Sequence, residues 1–109
     1  MPSMQISPLV MGTSGTFTRT VGQREYGDAE WLTIQAPESL QALTRTLQVS
    51  CDGVLFGTLV NAANVAVTLP AQGTAITYRD LLGVVAWRIG YSLAPSAAET
   101  WFVSKQTRS

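Results

Sequence analysis

A chain of 109 residues with seven basic and seven acidic side chains has no net charge to draw it to a polyanion or a membrane surface. Only 13% of its residues are charged against 46% hydrophobic, well below the roughly 25% charge of soluble domains, so Ser, Thr, Gln and Asn or other protein chains must cover its surface. It contains no histidine, which excludes a Ser-His-Asp triad, a Cys-His pair and a histidine metal cluster.

Met1 to Gly12 is apolar but poorly patterned, and Pro2 and Pro8 interrupt it. Residues 1–12 are expected to form an extended N-terminal arm outside the core, either an edge strand or a segment lying on a neighbour, with residues 13–109 as a single β domain. Deleting Met1 to Val10 should then harm association more than folding. The same stretch has neither a basic n-region nor a long apolar h-region, and no apolar run approaches 18 residues, so a soluble, non-exported protein is expected.

Gly15 to Val21 places Thr16, Thr18 and Thr20 on one strand face, and Trp31 to Gln35 forms a second short strand ahead of Pro37. From Leu43, the residues Leu47 and Val49 alternate with Thr44, Thr46, Gln48 and Ser50. Arg45 falls on the apolar side of this strand, where its stem should cover the core and its head reach water. Asp52-Gly53 between two apolar runs signals a hairpin that returns through Val54-Leu55-Phe56 to Val60. The single Cys51 excludes an internal disulfide and is expected to be a small buried hydrophobe.

Val65, Val67 and Leu69 alternate with Ala66 and Thr68 until Pro70, Ala71-Gln72-Gly73 turns the chain, and Ala75 to Tyr78 begins another strand. Thr77 to Asp80 has a helix-capping pattern, yet Gly83 and Gly90 oppose a helix, so one short turn at Asp80 to Gly83 is expected. Val85, Trp87, Ile89, Tyr91 and Leu93 then alternate with Ala86, Arg88, Gly90 and Ser92, a strand whose aromatic face should be core. A last strand, Thr100 to Ser104, follows Ala94-Pro95-Ser96. About seven to eight short strands with at most one short helix make this a mainly β chain, an antiparallel β-sandwich or barrel.

The chemistry-bearing residues are sparse. Glu25, Asp28 and Glu30 lie close together before Trp31, and such spacing in a polar loop reads as a solvated rim rather than an acid/base pair or a calcium site. The glycines match no phosphate-binding fingerprint, and the basic residues form no run. No enzymatic activity, cofactor or metal is expected.

Val65 to Leu81, followed by a Trp-bearing strand and a final strand, resembles the second half of small β-sandwich virion proteins of bacteriophages: capsid decoration (cement) proteins and tail or fibre modules. In these a Leu-Pro-Ala-Gly type turn precedes the closing strands; here Gln72 interrupts the Ala-Gly step. The resemblance implies a structural protein of the virion, made in the host cytoplasm, whose partners are itself and other virion proteins. Ile6, Leu9, Val10, Met11, Tyr26, Trp31 and Trp101 are the candidate assembly-interface residues.

Ala29-Glu30-Trp31-Leu32 and Val84-Val85-Ala86-Trp87-Arg88 also resemble segments of single-stranded RNA phage coat proteins. That family implies dimers in an icosahedral shell, helices following a sheet, and a sheet face that binds genomic RNA. Thr33, Thr44, Thr46 and Gln48 would be the RNA-facing residues. A carbohydrate-binding module is a third reading, which needs an exposed aromatic platform.

Overall fold

The computed structural model describes residues 4–22, 29–60, 62–78 and 84–107. Period-two alternation becomes eight strands in chain order: β1 (Met4–Met11), β2 (Val21–Gly22), β3 (Ala29–Gln35), β4 (Arg45–Ser50), β5 (Gly57–Thr58), β6 (Ala75–Tyr78), β7 (Ala86–Tyr91) and β8 (Glu99–Thr107). There is no helix among the described residues, and the turn expected at Asp80 to Gly83 lies outside them.

The strands form two four-stranded antiparallel sheets, ordered β1-β8-β3-β6 and β2-β7-β4-β5. The pairs β1 with β8, β2 with β7, β3 with β6 and β4 with β5 are nested one inside the next. A ribbon of nested pairs rolled into two facing sheets is the jelly-roll arrangement of the β-sandwich.

Between the sheets lie Leu9, Met11, Leu32, Ile34, Tyr78, Trp101 and Val103 from the first, facing Val21, Leu47, Trp87, Ile89 and Tyr91 from the second. In β7, Trp87, Ile89 and Tyr91 are buried as the alternation predicts. Val85 and Leu93 are not: both lie beyond the strand ends and are exposed.

The N-terminal arm takes the first of its two expected forms, an edge strand, but it lies in the core rather than outside it. All eight residues of β1 pair with β8, from Met4 opposite Gln106 to Met11 opposite Glu99. Leu9 and Met11 are fully buried core side chains. The segment looked unpatterned because its outward row, Ile6, Pro8 and Val10, is as apolar as its inward one. Pro8 is tolerated because β1 is an edge strand.

Around Cys51 the expected hairpin forms between β4 and β5, but with a longer loop, since Val49 pairs with Gly57 and Gln48 with Thr58. Asp52 causes this: its Oδ1 accepts hydrogen bonds from the Val54 and Leu55 amides and the Ser50 hydroxyl, at 2.8, 2.9 and 2.9 Å. Amides held by that carboxylate are lost to the ladder. Gly53 takes the positive φ of 82° that the loop requires. Val54, Leu55 and Cys51 are therefore exposed, and the thiol is not the buried hydrophobe expected.

Two further segments fall short of strands. Val65 to Leu69 makes only a bridge between Ala66 and Val60, with Val67 and Leu69 lying on the core. Residues 16–18 run beside β7, where the buried Thr18 hydroxyl accepts from the Ile89 amide at 3.0 Å. Gly73, with φ 72°, does turn the chain into β6.

Candidate assembly surface

At one end of the sandwich the interior is polar. Arg45 of β4 reaches across to Glu99 of β8, its Nη2 2.8 and 2.9 Å from the two carboxylate oxygens and its Nε 3.1 Å from Oε1. Both side chains are nearly buried, so the arginine head is not in water as its position near the strand end suggested. Nη1 donates to the Leu43 carbonyl and Nη2 to that of Gln41, while the Gln41 amide donates to Glu99 Oε2. Tyr91 donates to Glu99 Oε1 at 2.7 Å and accepts from Trp101 Nε1 at 2.8 Å. Burial pushes the Glu99 carboxyl up, but the bonds from Gln41, Tyr91 and Arg45, with the charge of Arg45, hold it below its ordinary value. Every group here has its partner, which makes the cluster a clasp between the sheets. Trp101, expected at an assembly surface, is part of it.

The outer faces offer more to a partner. On β1 and β8 the outward residues are Ile6, Pro8 and Val10, opposite Ser104, Phe102 and Thr100. Ile6, Val10 and Phe102 are 65%, 50% and 43% exposed, forming an apolar stripe. Towards β6 the same face turns polar, with Thr33 and Thr77 sharing a hydrogen bond of 2.8 Å. The free edge of β1 is a poor template for another strand: Pro8 has no N–H to donate, and its carbonyl accepts from Arg19 at 3.4 Å. A partner would meet side chains here.

Of the expected interface residues, then, Ile6 and Val10 are on the surface, whereas Leu9, Met11 and Trp101 are core. Phe102 was missed, although its place between Trp101 and Val103 in an alternating strand marks it as outward. Trp31 and Glu30 lie in β3. Tyr26, Glu25 and Asp28 lie outside the described residues.

The RNA-facing set is not one surface. Thr33 is on the outer face of the β1-β8-β3-β6 sheet, whereas Thr46 and Gln48 are on the outer face of the opposite sheet. Thr44 precedes β4, and its amide donates to Ser92 Oγ. Gln48 Oε1 accepts from Arg88 Nε at 2.9 Å. The sheet-then-helix plan of RNA phage coat proteins is replaced, among the described residues, by two sheets and no helix.

Among the described residues, no three His, Cys, Asp or Glu side chains are placed to hold a metal ion, and no helix is long and apolar enough to cross a membrane. No protein-family model matches the chain, and neither a curated protein nor a solved structure matches it.

Proposed function

We propose that this chain is a structural protein of a bacteriophage virion that self-assembles or decorates a capsid or tail. The observation that carries the proposal is the apolar stripe of Ile6, Val10 and Phe102 on the outer face of β1 and β8. Water-exposed apolar side chains grouped on a flat sheet face are stabilised by covering them with another protein. The jelly-roll topology supports the same reading by analogy, since viral capsid domains use it. Lectins use it too. The sugar-binding reading needs an aromatic platform, however, and among the tryptophans and tyrosines whose side chains are described, Trp87, Trp101, Tyr78 and Tyr91 are all buried.

The test is the size of the purified protein, by light scattering on a sizing column and by negative-stain imaging. Oligomers or particles much larger than one chain are expected. A monomer that persists at high concentration would overturn self-assembly.

A further inference from the structure

On the outer face of β7 the Arg88 guanidinium lies against two phenyl rings, 3.7 Å from the Phe17 centroid and 4.1 Å from that of Phe56. With two rings against the cation, its N–H groups are what it has to offer a ligand. Nε is already committed to Gln48, which Gly90 admits: a Cβ at position 90 would come within 2.6 Å of Gln48 Nε2. Among the described residues, the two terminal nitrogens of Arg88 make no hydrogen bond or ion pair. A guanidinium fixed in orientation, with free parallel N–H groups, matches a carboxylate and has little rotamer freedom left to lose on binding it.

The surroundings select the kind of carboxylate. Phe17, Val54, Leu55 and Val85 are exposed, and a Cβ added at Gly53 would lie 3.8 Å from Val85 Cγ1, which places the loop that carries Phe56 beside Val85. A nucleic acid needs several cations. Among the described residues no second cation is placed beside Arg88: Arg45 is spent on Glu99, while Arg19 contacts β1 and Lys105 sits on β8 in the other sheet. We infer that the edge of Arg88 is a binding site for a single carboxylate, carried by an acidic side chain within an apolar segment of a partner protein. The site is independent of the β1 and β8 stripe and does not rest on particle assembly.

The experiment follows the Arg88 Nε–Hε resonance of ¹⁵N-labelled protein at pH 7 during titration with the capped tripeptide acetyl-Leu-Glu-Leu-amide. A saturable shift is expected, with at least about tenfold weaker binding of the Gln peptide, because charge-assisted bonds are about twice as strong as neutral ones. Phe56→Ala should weaken the response, and Arg88→Gln should abolish the peptide-induced shifts of neighbouring amides. Equal binding of the Glu and Gln peptides, or no saturable shift at all, would overturn the inference. So would tighter binding of inorganic phosphate than of the Glu peptide. Should either variant fail to fold, the comparison of the two peptides on the unaltered protein decides alone.

Discussion

Strands β4 and β7 carry one arginine on each side of the same sheet, and the two are treated differently. Arg45, inside, has every donor group directed at Glu99 or a backbone carbonyl, and its head lies 4.8 Å from the centre of the Tyr91 ring. Arg88, outside, is gripped by two rings and an amide but keeps its terminal donors. A charge in the interior of a small sandwich is tolerated only with a complete set of partners. On the surface, aromatic faces can orient a charge without using it up. The same division runs along β1, where Leu9 and Met11 build the core while Ile6 and Val10 face outward.

Breaking the inner side should have the largest effects. Removing residues 1–10 takes away most of β1 together with Leu9, and should abolish the cooperative thermal transition rather than merely weaken association. A truncated protein that still melted cooperatively would show that β1 is dispensable. Trp87→Ala should cost about 3 to 5 kcal/mol in urea denaturation, because it empties a fully buried position between the sheets.

Arg45→Ala should cost about 3 to 5 kcal/mol, since it leaves the Glu99 carboxylate buried without its cation. Replacing both partners by apolar residues, Arg45→Met with Glu99→Leu, should recover most of that loss. If Arg45→Ala were as mild as Arg88→Ala, the contrast between the two arginines would fail.

The pH profile sharpens the comparison further. Glu99 has its native pKa held below the ordinary 4.5, so its contribution is complete above that value and is lost as pH falls through the lowered one. Tyr78 is pushed up to about 12 by burial, with its hydroxyl donating to the Thr68 carbonyl, and Tyr91 is raised too. Stability should therefore also fall as pH rises above about 10, the ordinary tyrosine value. Between about 6 and 8 the melting temperature should be flat, because no histidine is present to titrate there. In Glu99→Gln the acid-side loss should shrink; an unchanged profile would remove Glu99 from the account.

Outer changes should be small for folding. Arg88→Ala should cost about 1 to 2 kcal/mol, the scale of two partly exposed cation–π contacts, and so less than Arg45→Ala. A loss comparable to that of Arg45→Ala would make Arg88 part of the core.

Local patterning carried much of this fold. Trp87, Ile89 and Tyr91 read as a buried row because Arg88 and Gly90 alternate with them, and Ala75 to Tyr78 was visible behind the turn at Gly73. β1 was foreseen as an edge strand but not as part of the core, because apolar residues occupy both of its sides and alternation vanished where one row was core and the other surface. Val54 and Leu55 looked like a strand, but the Asp52 side chain captured their amides. The Arg45 clasp was invisible for another reason: Glu99 lies 54 residues away, and only the nested strand order brings the two together. The apolar stripe needed the same information, since Ile6 and Val10 acquire Phe102 as a neighbour only through the β1–β8 register.

The separation of inner and outer roles is tested most directly by sedimentation velocity and thermal melting of one variant, Ile6→Ser with Phe102→Ser. Both side chains are exposed, so the melting curve should stay close to that of the unaltered protein, as for other surface substitutions, while the large species give way to monomer. Assemblies that persist unchanged, or a variant that melts early, would contradict the account.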